Sequence, residues 1–296
     1  MVLVLYVYLS SHLLSVSACI WLLCSLKKHP LDSVLYKQLW HLFVADLGFH
    51  SSWIISTIIV LYFKPRVRDV PPLLNGIKLF AQWCEISCIF CSLLVESHIA
   101  AYFLCSSLQL TRRKLKMAVR SLPYVWFLSF SIGGVVQTLC GFRAFVGIQS
   151  VLIGTCPAPG PTFIVLLFAG LCAGFSYMSY VVVFFTCRFA GGRSAVRRAC
   201  RGGVLFPINF LITYGPMLLV LTKFSFWKQT PLTINPRVAI TLHGANGLLN
   251  AATYIIQSRR GRDLVLVSCL RDESDEEATS SDTTGGRVSE QLANGK

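Results

Sequence analysis

The sequence predicts an all-α protein: a seven-transmembrane helix bundle with its N-terminus outside and a disordered, acidic C-terminal tail. Three observations carry this expectation. Of 296 residues, 54% are hydrophobic and only 14% are charged, against about 25% charged in an ordinary soluble domain. The mean hydropathy is +0.61. The apolar residues also gather into seven runs, each close to the ~20 residues that a helix needs to cross a bilayer. Disorder and a soluble globular domain are excluded. No length remains for a second folded domain, so the expected organisation is a membrane domain over 1–258 and a cytoplasmic tail over 259–296.

The first run, 2–26, ends at Lys27, Lys28 and Pro30. It is too long for the apolar part of a signal peptide, has no basic stretch before it and shows no clear small-residue cleavage site, so it reads as a span. Further runs follow at 38–63, 77–105, 121–142, 162–187, 204–224 and 237–257. The third and seventh carry more polar residues than a lipid-facing helix tolerates, and those side chains should face the bundle interior.

Lys and Arg set the orientation. The odd loops and the segment after the last run hold sixteen, among them Arg112, Arg113, Lys114, Arg197 and Arg198, and the even loops hold eight. The richer side is cytoplasmic, which places the N-terminus outside and the chain in the plasma membrane as a multi-pass protein. The formal net charge of +14 would suggest nucleic acid in a soluble protein; here it flanks spans, and no nucleic-acid partner is expected. After Leu270 the chain is acidic, rich in Ser and Thr, and without hydrophobic period, so it should be disordered. Ser274, Thr279, Ser280 and Ser281 stand among its acids as phosphorylation candidates; the bland alternative is a solvating tail. Residues 257–270 suit a short amphipathic helix on the membrane, with Cys269 a lipidation candidate.

Twelve cysteines do not make a disulfide scaffold, because most lie inside apolar runs, where Cys acts as a small hydrophobe. Three acids lie within spans: Asp46, Glu85 and Glu96. A carboxylate buried in a bundle costs several kcal/mol unless paired or hydrated, so each is a functional candidate. Glu85, near an outer end, could simply face water. The partners expected for the other two are polar groups of the last span: His243, Asn246, Asn250 and Tyr254. His243, Asn246 and Asn250 share one helix face. In the sixth span Phe210, Tyr214 and Pro216 place a bulky aromatic two residues before a proline kink.

This constellation resembles the G-protein-coupled receptor superfamily. Leu42–Asp46 (LFVAD) is similar to the L-x-x-x-D motif of receptor span two, whose Asp binds a sodium ion or water. Phe210-x-x-x-Tyr214-x-Pro216 resembles the F-x-x-x-W-x-P switch of span six, with Tyr in place of Trp. Asn250-Ala-Ala-Thr-Tyr254 keeps the N-x-x-x-Y spacing of span seven without its Pro. The stretch 242–254 and Leu94-Val95-Glu96 are closer to slime-mould cAMP receptors and secretin-like receptors, and Trp126 suits the Trp often found in span four. The chain has no D-R-Y in span three, no Pro in span five and no Asn in span one, departures that favour those two classes over the rhodopsin-like one. The resemblance, which covers about 1–260, implies a receptor that binds an extracellular ligand between the outer halves of spans three, five, six and seven. It implies coupling to a cytoplasmic heterotrimeric G protein through Arg112, Arg113, Lys114, Arg197 and Arg198, and a tail read by a receptor kinase or arrestin-like protein. It also implies a disulfide between Cys84 and Cys156.

Three rival readings differ in the residues they require. A retinal protein needs a Lys in the seventh span, and 237–257 contain none. A seven-span metal hydrolase needs histidines at ligand spacing, whereas His12, His29, His41, His50, His98 and His243 are scattered; no enzyme activity and no cofactor are expected. A small-solute transporter is the serious alternative, and would show inverted repeats and broken helices.

Overall fold

The computed structural model describes residues 2–26, 34–63, 71–108, 120–140, 159–189, 205–226 and 236–256. All described regular structure is helical: α1 (Val2–Leu26), α2 (Val34–Phe63), α3 (Pro72–Ser107), α4 (Leu122–Cys140), α5 (Pro159–Phe189), α6 (Leu205–Phe226), α7 (Pro236–Gly244) and, after a turn at Ala245, α8 (246–256). Three helices, α3, α5 and α7, begin with proline. Its fixed φ suits the first helical position, and its missing N–H would have had no partner there.

Five helices are long and apolar enough to cross a membrane, with candidate spans Tyr6–Leu26, Val34–Ile59, Pro72–Cys105, Leu122–Leu139 and Ile164–Thr186. This suggests a membrane protein. The sixth expected span contains the apolar stretch Ile208–Val220 within the 22-residue α6, and the seventh is divided between α7 and α8. Asn209, Thr213 and Tyr214 on α6, with His243, Asn246 and Asn250 on the last two helices, gather in the interior, and all six are buried.

The chain forms two units, Met1–Ala251 and Ala252–Lys296; of the second, only 252–256 are described, as the end of α8. Within the first unit α1 packs on α2, α2 on α3, α3 on both α4 and α5, α4 on α5, α5 on α6, α6 on α7, and α7 back on α1. Helix α3 runs through the middle and is the most buried. It begins at Pro72 rather than near residue 77, so Glu85 lies about 20 Å inside the helix at 1.5 Å per residue. Glu85 is accordingly buried, at 1% exposure, and does not face water. The apolar core joins α2, α3, α5 and α6 through Phe49, Phe90, Leu93, Cys172, Phe210 and Tyr214. Outward-facing Phe127 and Leu128 on α4 and Leu171, Phe175 and Met178 on α5 are exposed, an arrangement that suits lipid and not water.

The break between α7 and α8 has an identifiable cause. An unbroken helix would bond the Leu248 N–H to the Gly244 carbonyl. Instead Ser15 of α1 stands between them: its Oγ donates to the Gly244 carbonyl (2.8 Å) and accepts from the Leu248 N–H (3.3 Å). The Ala245 N–H is shared between the carbonyls of Thr241 (3.0 Å) and Leu242 (3.2 Å), which tightens the last turn of α7. Two glycines admit α1 this closely. A Cβ on Gly244 would lie 2.5 Å from Ser11 Oγ, and one on Gly247 would lie 2.9 Å from Cys19 Sγ. Ser15→Ala should therefore lower stability by about 1 kcal/mol, measured as an earlier thermal unfolding transition.

Candidate functional site

The strongest candidate is a hydrogen-bonded cluster on four helices of the first unit, centred on Asp46 (1% exposed). Ser92 of α3 donates to Asp46 Oδ1 at 2.8 Å. From α8, Asn246 Nδ2 donates to the same oxygen at 3.2 Å and Asn250 Nδ2 donates to Oδ2 at 2.8 Å. Helix α6 joins twice. The Tyr214 hydroxyl donates to Ser92 Oγ at 3.2 Å and lies 3.5 Å from Asn246 Nδ2, and Asn209 Nδ2 donates to Asn250 Oδ1.

Every group meeting the Asp46 carboxylate is a donor, and the helices converge because nothing else satisfies those donors in an apolar interior. A sodium ion would need oxygen ligands. The two amides turn their nitrogens to the carboxylate, so this donor set does not fit that cation. Two buried acceptors, Asn209 Oδ1 and Asn246 Oδ1, have no hydrogen-bond partner. A buried water with its two hydrogens is the natural complement to such oxygens.

The other residues expected at the site divide. Pro216 lies inside α6, two residues beyond Tyr214. Phe210 is stacked on Tyr214, with ring centroids 4.9 Å apart. His243 is buried but joins no hydrogen bond through either ring nitrogen. It packs against Phe49 (4.9 Å) and Tyr214 (5.1 Å) instead, because the turn at Ala245 separates it from Asn246 and Asn250. Glu96, one turn beyond Ser92 on α3, lies at the cluster's edge, and its Oε2 meets no donor among the described residues. Tyr254 lies in the second unit. Cys84 is a half-buried thiol unbonded to any described cysteine, and its expected partner Cys156 lies outside the described residues. Arg112, Arg113, Lys114, Arg197, Arg198, Cys269, Ser274, Thr279, Ser280 and Ser281 also lie outside them.

Four further residues accompany the expected ones. Ser92 and Asn209 complete the cluster. His12 of α1 and His50 of α2 sit beside it, with Nδ1 atoms 2.9 Å apart and His12 lying flat on Trp53 at 3.8 Å. Among the described residues no group of three or more His, Cys, Asp or Glu is placed to hold a metal ion.

A cavity of about 250 Å³ opens between α5 and α6 and is closed behind by α3. Glu96, Gly174, Tyr177, Tyr180, Phe210 and Leu211 line it. Phe210 and Leu211 belong to the first two turns of α6, so this cavity lies toward the end expected to be cytoplasmic, not between the outer halves.

No protein-family model and no curated protein matches the chain.

Proposed function

We propose that this chain is a seven-helix plasma-membrane receptor, N-terminus outside, that passes the binding of an extracellular ligand to a cytoplasmic heterotrimeric G protein. The observation that carries the reading is the Asp46 cluster. One carboxylate gathers donors from α3 and α8 and, through Ser92 and Asn250, from α6. The closed order of helix packing, with α7 returning to α1, supports seven crossings, the last two being the polar ones.

In this reading the cluster holds one arrangement of the bundle. A ligand with higher affinity for the other arrangement shifts the balance. The Tyr214 hydroxyl then leaves Ser92, and the segment of α6 before Pro216, where the helix lacks one backbone hydrogen bond, swings outward. Basic loops around 112–120 and 188–201 meet the G protein or anionic headgroups, and the Ser/Thr-rich tail receives a kinase or arrestin-like regulator.

The test is agonist-free nucleotide exchange on co-expressed G proteins, comparing wild type with Asp46→Asn and Pro216→Ala. Loosening one two-state element should change basal exchange by about 2- to 30-fold, equivalent to 0.5–2 kcal/mol of coupling. Unchanged exchange in both variants, together with solute flux into vesicles, would favour a transporter.

A further inference from the structure

The cavity between α5 and α6 has the chemistry of a specific site. It is mostly apolar, with one carboxyl directed into it. Glu96 is buried to about nine-tenths (8% exposed), yet its Oε2 has no hydrogen-bond donor among the described residues. A carboxylate in that state costs several kcal/mol unless a cation or donor meets it. The facing wall is aromatic, with Tyr177, Tyr180 and Phe210, and ring faces beside a carboxylate are the surroundings that favour an ammonium group.

Size and access narrow the occupant. About 250 Å³ falls just below the ~300 Å³ lower bound of drug-sized sites, so one ring and a short chain fill it. Tyr177 and Leu211, at its mouth, are 54% and 53% exposed on the face turned away from the bundle. Entry is therefore from the side. Glu96 is eleven residues from Ser107, the end of α3. That is about 16 Å along the helix, about half the thickness of a hydrocarbon layer ~30 Å thick. Phospholipid headgroups do not reach this depth, which leaves a free, membrane-soluble amine.

We infer that the α3–α5–α6 cavity binds a small apolar primary amine, its ammonium on Glu96 and its body among Tyr177, Tyr180 and Phe210, entering from the bilayer. The inference rests on the membrane-embedded reading of the chain but not on G-protein coupling. Because Glu96 lies one helical turn beyond Ser92, which donates to Asp46, an amine here also bears on the cluster.

The experiment uses the full chain in phosphatidylcholine nanodiscs, tritiated 6-phenylhexylamine as probe, empty nanodiscs as background, and 6-phenylhexanol and 6-phenylhexanoate as competitors. The amine should bind saturably and about tenfold or more tighter than the alcohol, the margin expected of a charge-assisted bond. Glu96→Gln should erase that preference, and Glu96→Asp should retain part of it. Gly174→Leu fills the cavity from a position where an added Cβ meets nothing within 4 Å, so it should abolish binding without loss of fold and serves if Glu96→Gln does not fold. Absence of saturable binding, equal affinity for alcohol or acid, or an amine preference that survives Glu96→Gln would overturn the inference. Amine binding with silent nucleotide exchange would keep the site and remove the receptor reading; exchange that responds to Asp46→Asn without amine binding would do the reverse.

Discussion

Replacing Asp46 with alanine should cost more stability than any other single change in the polar cluster. The substitution leaves Ser92 Oγ, Asn246 Nδ2 and Asn250 Nδ2 without the acceptor they share. A buried donor left unsatisfied costs about 1–3 kcal/mol, and removing the central charge of a buried network costs about 3–5 kcal/mol in all. For a unit of this size that is a fall in melting temperature of about 10 °C or more. Asp46→Asn keeps one acceptor oxygen, and its loss should be no more than half as large. A thiol-reactive fluorophore measures both, because Cys19, Cys88, Cys91 and Cys172 are buried free thiols that become reactive on unfolding. Equal melting temperatures for the two variants would mean that the donors do not depend on the carboxylate.

Gly247→Val should be nearly as damaging, for a steric reason. The first added carbon would meet Cys19 Sγ at 2.9 Å and both His50 Nε2 and Ser15 Cβ at 3.1 Å. None can yield easily. His50 is held by His12, which lies flat against Trp53, and Ser15 is held by its two bonds at the helix break. Overpacking of this kind costs about 1–3 kcal/mol, and valine adds a second branch to the clash. Gly170→Ala is the control: its added carbon meets nothing within 4 Å, and it should gain up to about 1 kcal/mol from helix propensity alone. If both substitutions shift the unfolding temperature alike, α1 does not seat against Gly247.

Helix positions were legible because a crossing helix must be apolar over its whole length, a signal that survives in composition. The divided last helix was not, because its break comes from Ser15, more than two hundred residues away in sequence. Asp46, Asn246 and Asn250 stood out as strongly polar side chains within apolar runs, where the surroundings penalise them. Asn209 carries the same signal as Asn250 but stands beside the more conspicuous Phe210-x-x-x-Tyr214-x-Pro216 spacing. Ser92 carries none, since a serine can satisfy itself on its own helix. His243 illustrates the converse: regular spacing placed it with the asparagines, and the turn at Ala245 sends its ring to Phe49 and Tyr214. Glu85 reads as an end residue only if α3 begins with the apolar run at 77; the helix begins five residues earlier, at Pro72.

The bond from Ser15 to Gly244 joins groups 229 positions apart. At synthesis rates of about 5–20 residues per second, the N-terminal helix waits roughly 10–45 s for its mate to leave the ribosome. Throughout that interval Ser15 has no carbonyl of the last helix to bond, and His12 and His50 border an open flank. Ring closure is consequently the final event of assembly, and any translational pause before residue 244 prolongs the period in which a chaperone or a neighbouring nascent chain can take the vacant place.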